Sequence, residues 1–105
     1  MTPDELAARA AAWAKLPGGV DDAMRACAAA VHALVAALPA AQGRPTWRED
    51  VELGAVMLTA RLHRRRNSPA GIESLTEMGA TYVSRYDSDI ARLLRIDAFV
   101  GPVAI

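Results

Sequence analysis

Apolar residues recur at helical spacing through most of this chain, and the polar residues between them mark where each helix starts and stops. The longest run is Thr46 to Ile72, TWREDVELGAVMLTARLHRRRNSPAGI. Thr46 with Glu49 forms a T-x-x-E capping box, which predicts Thr46 as N-cap. Pro69 disfavours helical geometry at the residue before it, so Asn67-Ser68-Pro69 is the expected stop. At about 100° per residue, Val51, Ala55, Leu58 and Leu62 fall on one face. Leu53, Met57 and Ala60 fall on nearly the opposite one. A surface helix needs a single apolar stripe; two predict a helix clamped between its own domain and something else.

The same logic organises the rest of the chain. Thr2-Pro3-Asp4-Glu5 opens a first helix with a capping box and proline at its first position. Leu6, Ala10 and Trp13 share its core face, and Leu16-Pro17-Gly18-Gly19 stops it. Asp21 or Asp22 starts a second helix running to Leu38, with Met24, Cys27, Val31, Leu34, Val35 and Leu38 along its stripe. The remainder of that helix is nearly all alanine, which permits close helix–helix approach. Residues 72–76 and 81–86 alternate loosely and contain β-branched and aromatic side chains, which predicts a β-hairpin or extended pair. Asp87 is the expected N-cap of a short last helix carrying Ile90, Leu93 and Leu94. Phe99, Val100, Val103 and Ile105 surround Gly101-Pro102 in an apolar, nonhelical tail. The expected fold is therefore mainly α, a small bundle of about four helices. A hairpin or extended segment precedes the last helix, and an extended C-terminal tail follows it. It forms one domain over 1–105, with a core over 1–94 and a tail over 95–105.

Composition narrows the class. A chain of 105 residues buries enough surface to fold without metal or disulfide. Its formal net charge is zero, so nothing global favours nucleic acid or an anionic membrane. Cys27 is the single cysteine, which excludes an internal disulfide and a cysteine zinc cluster. Asp4 and Glu5 stand where a secretory signal would be positive, so no such signal is expected. The uncharged run from Ala26 to Gly43 is mostly alanine, is interrupted by His32 and Pro39, and is too short to span a bilayer.

No catalytic constellation stands out. His32 and His63 lack metal-ligand spacing, and no phosphate loop or nucleophile elbow is present. No catalytic residue, metal or cofactor is expected. The Asp87/Asp89 pair reads as helix capping in preference to a cation site or carboxylate couple. Cys27 reads as a small core residue in preference to a nucleophile. The cluster Arg61, Arg64, Arg65 and Arg66 allows three readings: complementing the helix dipole, pairing with acids of a neighbouring subunit, or contacting DNA phosphates. Trp47, just after a cap, reads as a hydrophobic anchor or interface residue.

The stretch Trp47 to Gly71, above all ARLHRRRNSPAGI, together with GATYVSRYDSDIARLL, resembles the head–tail connector proteins (adaptor or head-completion proteins) of long-tailed bacteriophages. The resemblance covers about half the chain and assigns no role before Val20. It implies a structural, non-enzymatic virion protein, made in the host cytoplasm and resident in the neck. Such a subunit forms a homo-oligomeric ring, with a dodecamer the expected form. The ring docks on the portal protein, extends the DNA channel and offers a surface to a head-closure or tail-side neck protein. No membrane is involved, and DNA passes through without specific binding. On this reading Leu53, Met57, Ala60, Arg61, Arg64 and Arg65 are expected at the subunit interface, with Arg61 and Arg65 pairing with acids of the next copy. Phe99, Val100, Pro102, Val103 and Ile105 are the expected portal-docking residues, and Arg48 and Arg66 the candidates to face the channel. The competing reading is a small helical DNA-binding regulator, which the arginine cluster and helix–turn–helix-like spacing favour.

Overall fold

The computed structural model describes residues 1–65 and 75–96. The protein is mainly helical, and no strand occurs among the described residues. Helix α1 (Pro3–Trp13) starts as its sequence dictates: the Thr2 hydroxyl accepts from the backbone N–H of Glu5 at 3.1 Å. It ends earlier than the Pro-Gly-Gly run. The Leu16 N–H reaches the Ala11 carbonyl and the Lys15 N–H reaches that of Ala12, with Lys15 at φ 56°. This is a Schellman closure with lysine where glycine fits better. Lys15→Gly is therefore expected to raise stability by about 1 kcal/mol in urea unfolding.

Helix α2 (Asp22–Ala36) is capped by Asp21, whose carboxylate accepts from the Met24 N–H at 2.7 Å. Met24, Cys27, Val31, Val35 and Leu38 are buried as their spacing predicts, and Leu34 is partly buried. Helix α3 (Glu49–Arg64) starts three residues beyond the expected cap: Arg48 is the N-cap, with no side-chain bond. Thr46 loses the role because Trp47 turns inward. Its indole is buried and lies on His32, ring centres 5.1 Å apart, which holds the chain extended before the helix. Trp47 is thus an anchor inside the monomer. Glu49, Asp50 and Glu52 fill the first turn of α3, where carboxylates suit the dipole.

The predicted hairpin is replaced by helix. Residues 75–78 are helical (α4), followed by α5 (Ala80–Tyr86) and α6 (Ser88–Leu93), which gives six helices among the described residues where about four were expected; positions 72–74 of the predicted hairpin lie outside the described residues. The buried positions explain why: Tyr82, Val83, Asp87, Ile90, Ala91 and Leu94 recur at three- and four-residue intervals. That is helical spacing, and it overrides the strand preference of valine and tyrosine. Gly79, at φ 55°, separates α4 from α5.

Contacts between the helices fix their directions. The Met1 carbonyl accepts from His32 Nε2 at 2.7 Å, so α1 begins beside the second half of α2. Asp21 meets His63 in the last turn of α3, so α2 and α3 are antiparallel. Arg61 meets Asp89 and Arg95 meets Asp50, so α6 runs back along α3. One end of the bundle thus holds the starts of α1 and α3 and the ends of α2 and α6. The other end holds the opposite termini.

Helix α3 lies at the centre. Val51, Ala55, Leu58 and Leu62 pack into the shared core with α1 and α2. On the flank of α3 that carries Arg61 and Arg65, between its two apolar faces, Gly54 lies against Leu93 and Leu94 of the α6 end: a Cβ there would come within 3.1 Å of both side chains. The second apolar face is covered by the chain itself only in part. Ala60, expected at a subunit interface, is buried, Met57 is half-buried, and Leu53 is 36% exposed. Trp13, expected in the core, is 53% exposed. The buried face of α1 centres between Leu6, Ala7, Ala10 and Ala11, and Trp13 sits about 90° from that centre at the helix end.

Candidate functional site: the arginine–aspartate clasp

Arg61 and Arg65 are one helical turn apart and project from the same side of α3. The chain brings them to the joint between α5 and α6. Asp87, at that joint, has a side chain only 1% exposed, and both arginines bind it. Arg61 Nη1 donates to Asp87 Oδ1 at 3.1 Å. Arg65 clamps both oxygens, Nη2 to Oδ1 at 2.9 Å and Nη1 to Oδ2 at 3.2 Å. Arg61 also forks onto Asp89, Nη1 to Oδ1 at 2.8 Å and Nη2 to Oδ2 at 2.6 Å. Arg65 Nη1 further donates to the Tyr82 hydroxyl at 3.4 Å. The planar guanidinium suits such paired bonds, which lysine would not reproduce.

The electrostatics follow from the geometry. The hydrogen bond from Arg61, with its charge, outweighs desolvation and holds the Asp89 carboxyl at about 2, below its usual 3.8. The bond to Asp89 chiefly, with lesser help from Asp87, raises Arg61 above the usual guanidinium value. The bond to Asp87 does the same for Arg65, helped by Tyr82. A carboxylate with a depressed folded-state pKa contributes stability above its unfolded value and loses it as pH falls through the folded one. Stability is therefore expected to drop as pH falls from about 4 to about 2. Asp89→Asn should flatten that part of the pH profile, measured by urea unfolding at each pH.

The clasp reassigns several sequence expectations. The acids that Arg61 and Arg65 meet in the monomer are the chain's own, not those of another copy. Asp87 occupies the N-cap position of α6 but makes no side-chain cap bond, because the arginines take its oxygens. Arg64 is exposed, and Arg48 is half-exposed beside Asp50 at 3.6 Å. Arg66 and the whole set Phe99, Val100, Pro102, Val103 and Ile105 lie outside the described residues, as does the Asn67-Ser68-Pro69 turn.

Two further polar joints tie the helix ends. His63 is 4% exposed, and its Nε2–H points between both Asp21 oxygens, 3.1 Å from each. Asp21 so caps α2 and binds α3 at once. At the opposite end, Arg95 donates to Asp50 at 2.8 and 3.1 Å. Desolvation pushes the Asp50 carboxyl up, but bonds from Arg95 and the Val51 N–H outweigh it and hold it below the usual range. Sequence reading missed Tyr82, Gly54 and the His63–Asp21 pair. The i, i+4 placement of Arg61 and Arg65 was the available signal for a shared acid.

Among the described residues no group of three or more metal-ligating side chains forms. No described helix is long and apolar enough to cross a membrane. Comparison of the chain with family models, with curated proteins and with solved structures finds no match.

Proposed function

We propose that this chain is a structural subunit of a bacteriophage neck, a ring-forming head–tail adaptor that docks on the portal and extends the DNA channel towards the tail. The observation that carries this reading is that the two halves of the connector-like motif meet in space. ARLHRRR supplies Arg61 and Arg65, and TYVSRYDSD supplies Tyr82, Asp87 and Asp89. Residues up to 28 apart in the sequence thus form one unit, and the motif has a physical reason to stay together.

The clasp also favours this reading over a DNA-binding regulator. A phosphate-binding helix needs unpaired cations along one face. Arg61 and Arg65 instead end on carboxylates, so of the described arginines at the α3 terminus Arg64 alone lacks an ion-pair partner among the described residues. A channel through which DNA must slide benefits from such neutralised surfaces, since strong phosphate contacts would hinder passage.

The test is size-exclusion chromatography of the protein mixed with its portal, with and without residues 99–105. The full-length protein should co-elute with the portal as a ring-sized complex. The truncated protein should stay folded and fail to join it. Absence of any complex with the full-length protein at high concentration refutes the adaptor reading; undiminished docking by the truncated protein refutes the role of Phe99 to Ile105.

A further inference from the structure

The end of the bundle where α1 and α3 begin is also the point from which residues 97–105 depart. Arg95 stands at φ 62° after the last turn of α6, and its guanidinium grips Asp50 in the first turn of α3 at 2.8 and 3.1 Å. Ile96, next in the chain, is 2% exposed. A polar clamp and a buried anchor thus fix where the sequence DAFVGPVAI begins.

The same end holds an open recess of about 440 Å³ whose lining includes Met1, His32, Ala36, Ala41, Arg44 and Trp47. Trp47 and His32, stacked on each other, form its aromatic wall. Arg44 brings a positive charge to the lining, and no carboxylate is among the residues that form it. Asp50 lies three residues beyond Trp47, at most about 11 Å of chain, so the clamp and the recess are neighbours. Nine residues extend to about 30 Å at most, which is ample reach.

Composition matches as well. Residues 97–105 carry Phe99, Val100, Val103 and Ile105, and their only charged side chain is Asp97. The apolar groups suit the walls of the recess, and the Asp97 carboxylate suits the sign of Arg44. A segment tethered by so short a link meets the recess at an effective concentration in the millimolar range. A separate copy or another protein would have to be that abundant to compete.

We propose that in the free subunit residues 97–105 fold back onto the Met1/His32/Trp47 recess of their own chain, with Phe99 as the apolar anchor. The segment then has two alternative partners, this recess and the portal, and exchanges the first for the second on assembly. The fold-back contact stands without the adaptor reading; only the exchange rests on it. Folding back keeps four apolar side chains out of water until a partner takes them. It also lowers the segment's apparent affinity for any other surface by the fraction of time it spends free.

Nuclear Overhauser contacts in the full-length protein test this. Phe99 ring protons should show contacts to the Ala36 and Ala41 methyls and to the Trp47 indole. F99S/V103S, also full length, should lose them and shift the Trp47 indole resonance, with the helical core unchanged. An added peptide of residues 97–105 should bind F99S/V103S at the recess. Wild type should need at least ~10-fold more peptide, because its own segment competes. Absence of the contacts in wild type, or equal peptide binding by the two proteins, overturns the proposal. Contacts seen only between differently labelled molecules also overturn it, since a second copy is then the occupant. Contacts that persist at saturating portal would uphold the fold-back and refute the exchange. A portal complex formed by a protein that never shows the contacts would refute the fold-back and leave the adaptor reading intact.

Discussion

Replacing Asp87 by alanine should lower the unfolding free energy by about 3 kcal/mol, the low end of what breaking a buried ion pair costs. The carboxylate is almost fully buried and accepts three guanidinium bonds from two arginines. Without it, Arg61 keeps Asp89, but Arg65 keeps only the Tyr82 hydroxyl. The arginines are about one-third exposed and regain some water, which is why the estimate stays at the low end. Asp87→Asn should fall between wild type and alanine, since an amide oxygen still accepts one bond. Asp89→Ala should cost no more than about 1 kcal/mol, because that carboxylate is more than half exposed. Urea unfolding measures all three. An Asp87→Ala protein within 1 kcal/mol of wild type would mean that the clasp does not hold α5 and α6 to α3.

Gly54→Val should destabilise the protein by about 2–3 kcal/mol through overpacking. The first atom of any side chain at Gly54 would lie 2.9 Å from Leu94 Cδ2 and 3.0 Å from Leu93 Cβ. The leucine tip can turn aside. The Leu93 Cβ moves only with its backbone, so the end of α6 must shift away from α3. Gly54→Ala is the control that separates two opposing effects. Alanine favours the helix by about 1 kcal/mol over glycine, while the same contact strains the α3–α6 joint. The expected outcome for alanine is a net change near zero, with valine clearly below it in thermal unfolding. Equal stability of valine and wild type would show that α6 does not pack as closely as described.

Local signals were legible where one residue decides the outcome. Thr2 and Asp21 cap the helices they precede, and the stripe from Met24 to Leu38 faces the core as its spacing requires. The errors arose where a local preference met a longer-range demand. Thr46 and Glu49 form a sound capping box, yet burial of Trp47 against His32 delays the helix to Glu49. The valine and tyrosines of 81–86 suggested a strand, but a core that takes Tyr82, Val83 and Asp87 at helical intervals makes a helix.

The two-faced character of α3 was read from its residues, but what meets the second face was not. A period of 3.6 shows that two sides are apolar and says nothing of whether α6 or another copy covers one of them. Gly54, where Leu93 and Leu94 approach α3 closely, carries no side chain to announce it. The clasp was half legible. Arg61 with Arg65 and Asp87 with Asp89 stand out as charged pairs, but joining them needs the return of α6 along α3, which no local rule supplies.

The most direct measurement of the adaptor reading is an electron-microscopy image of the protein incubated with its portal. The account predicts a closed ring of this chain sharing the portal's axis and lengthening its channel. A portal unchanged in outline at saturating protein, with the chain remaining monomeric beside it, would contradict the account.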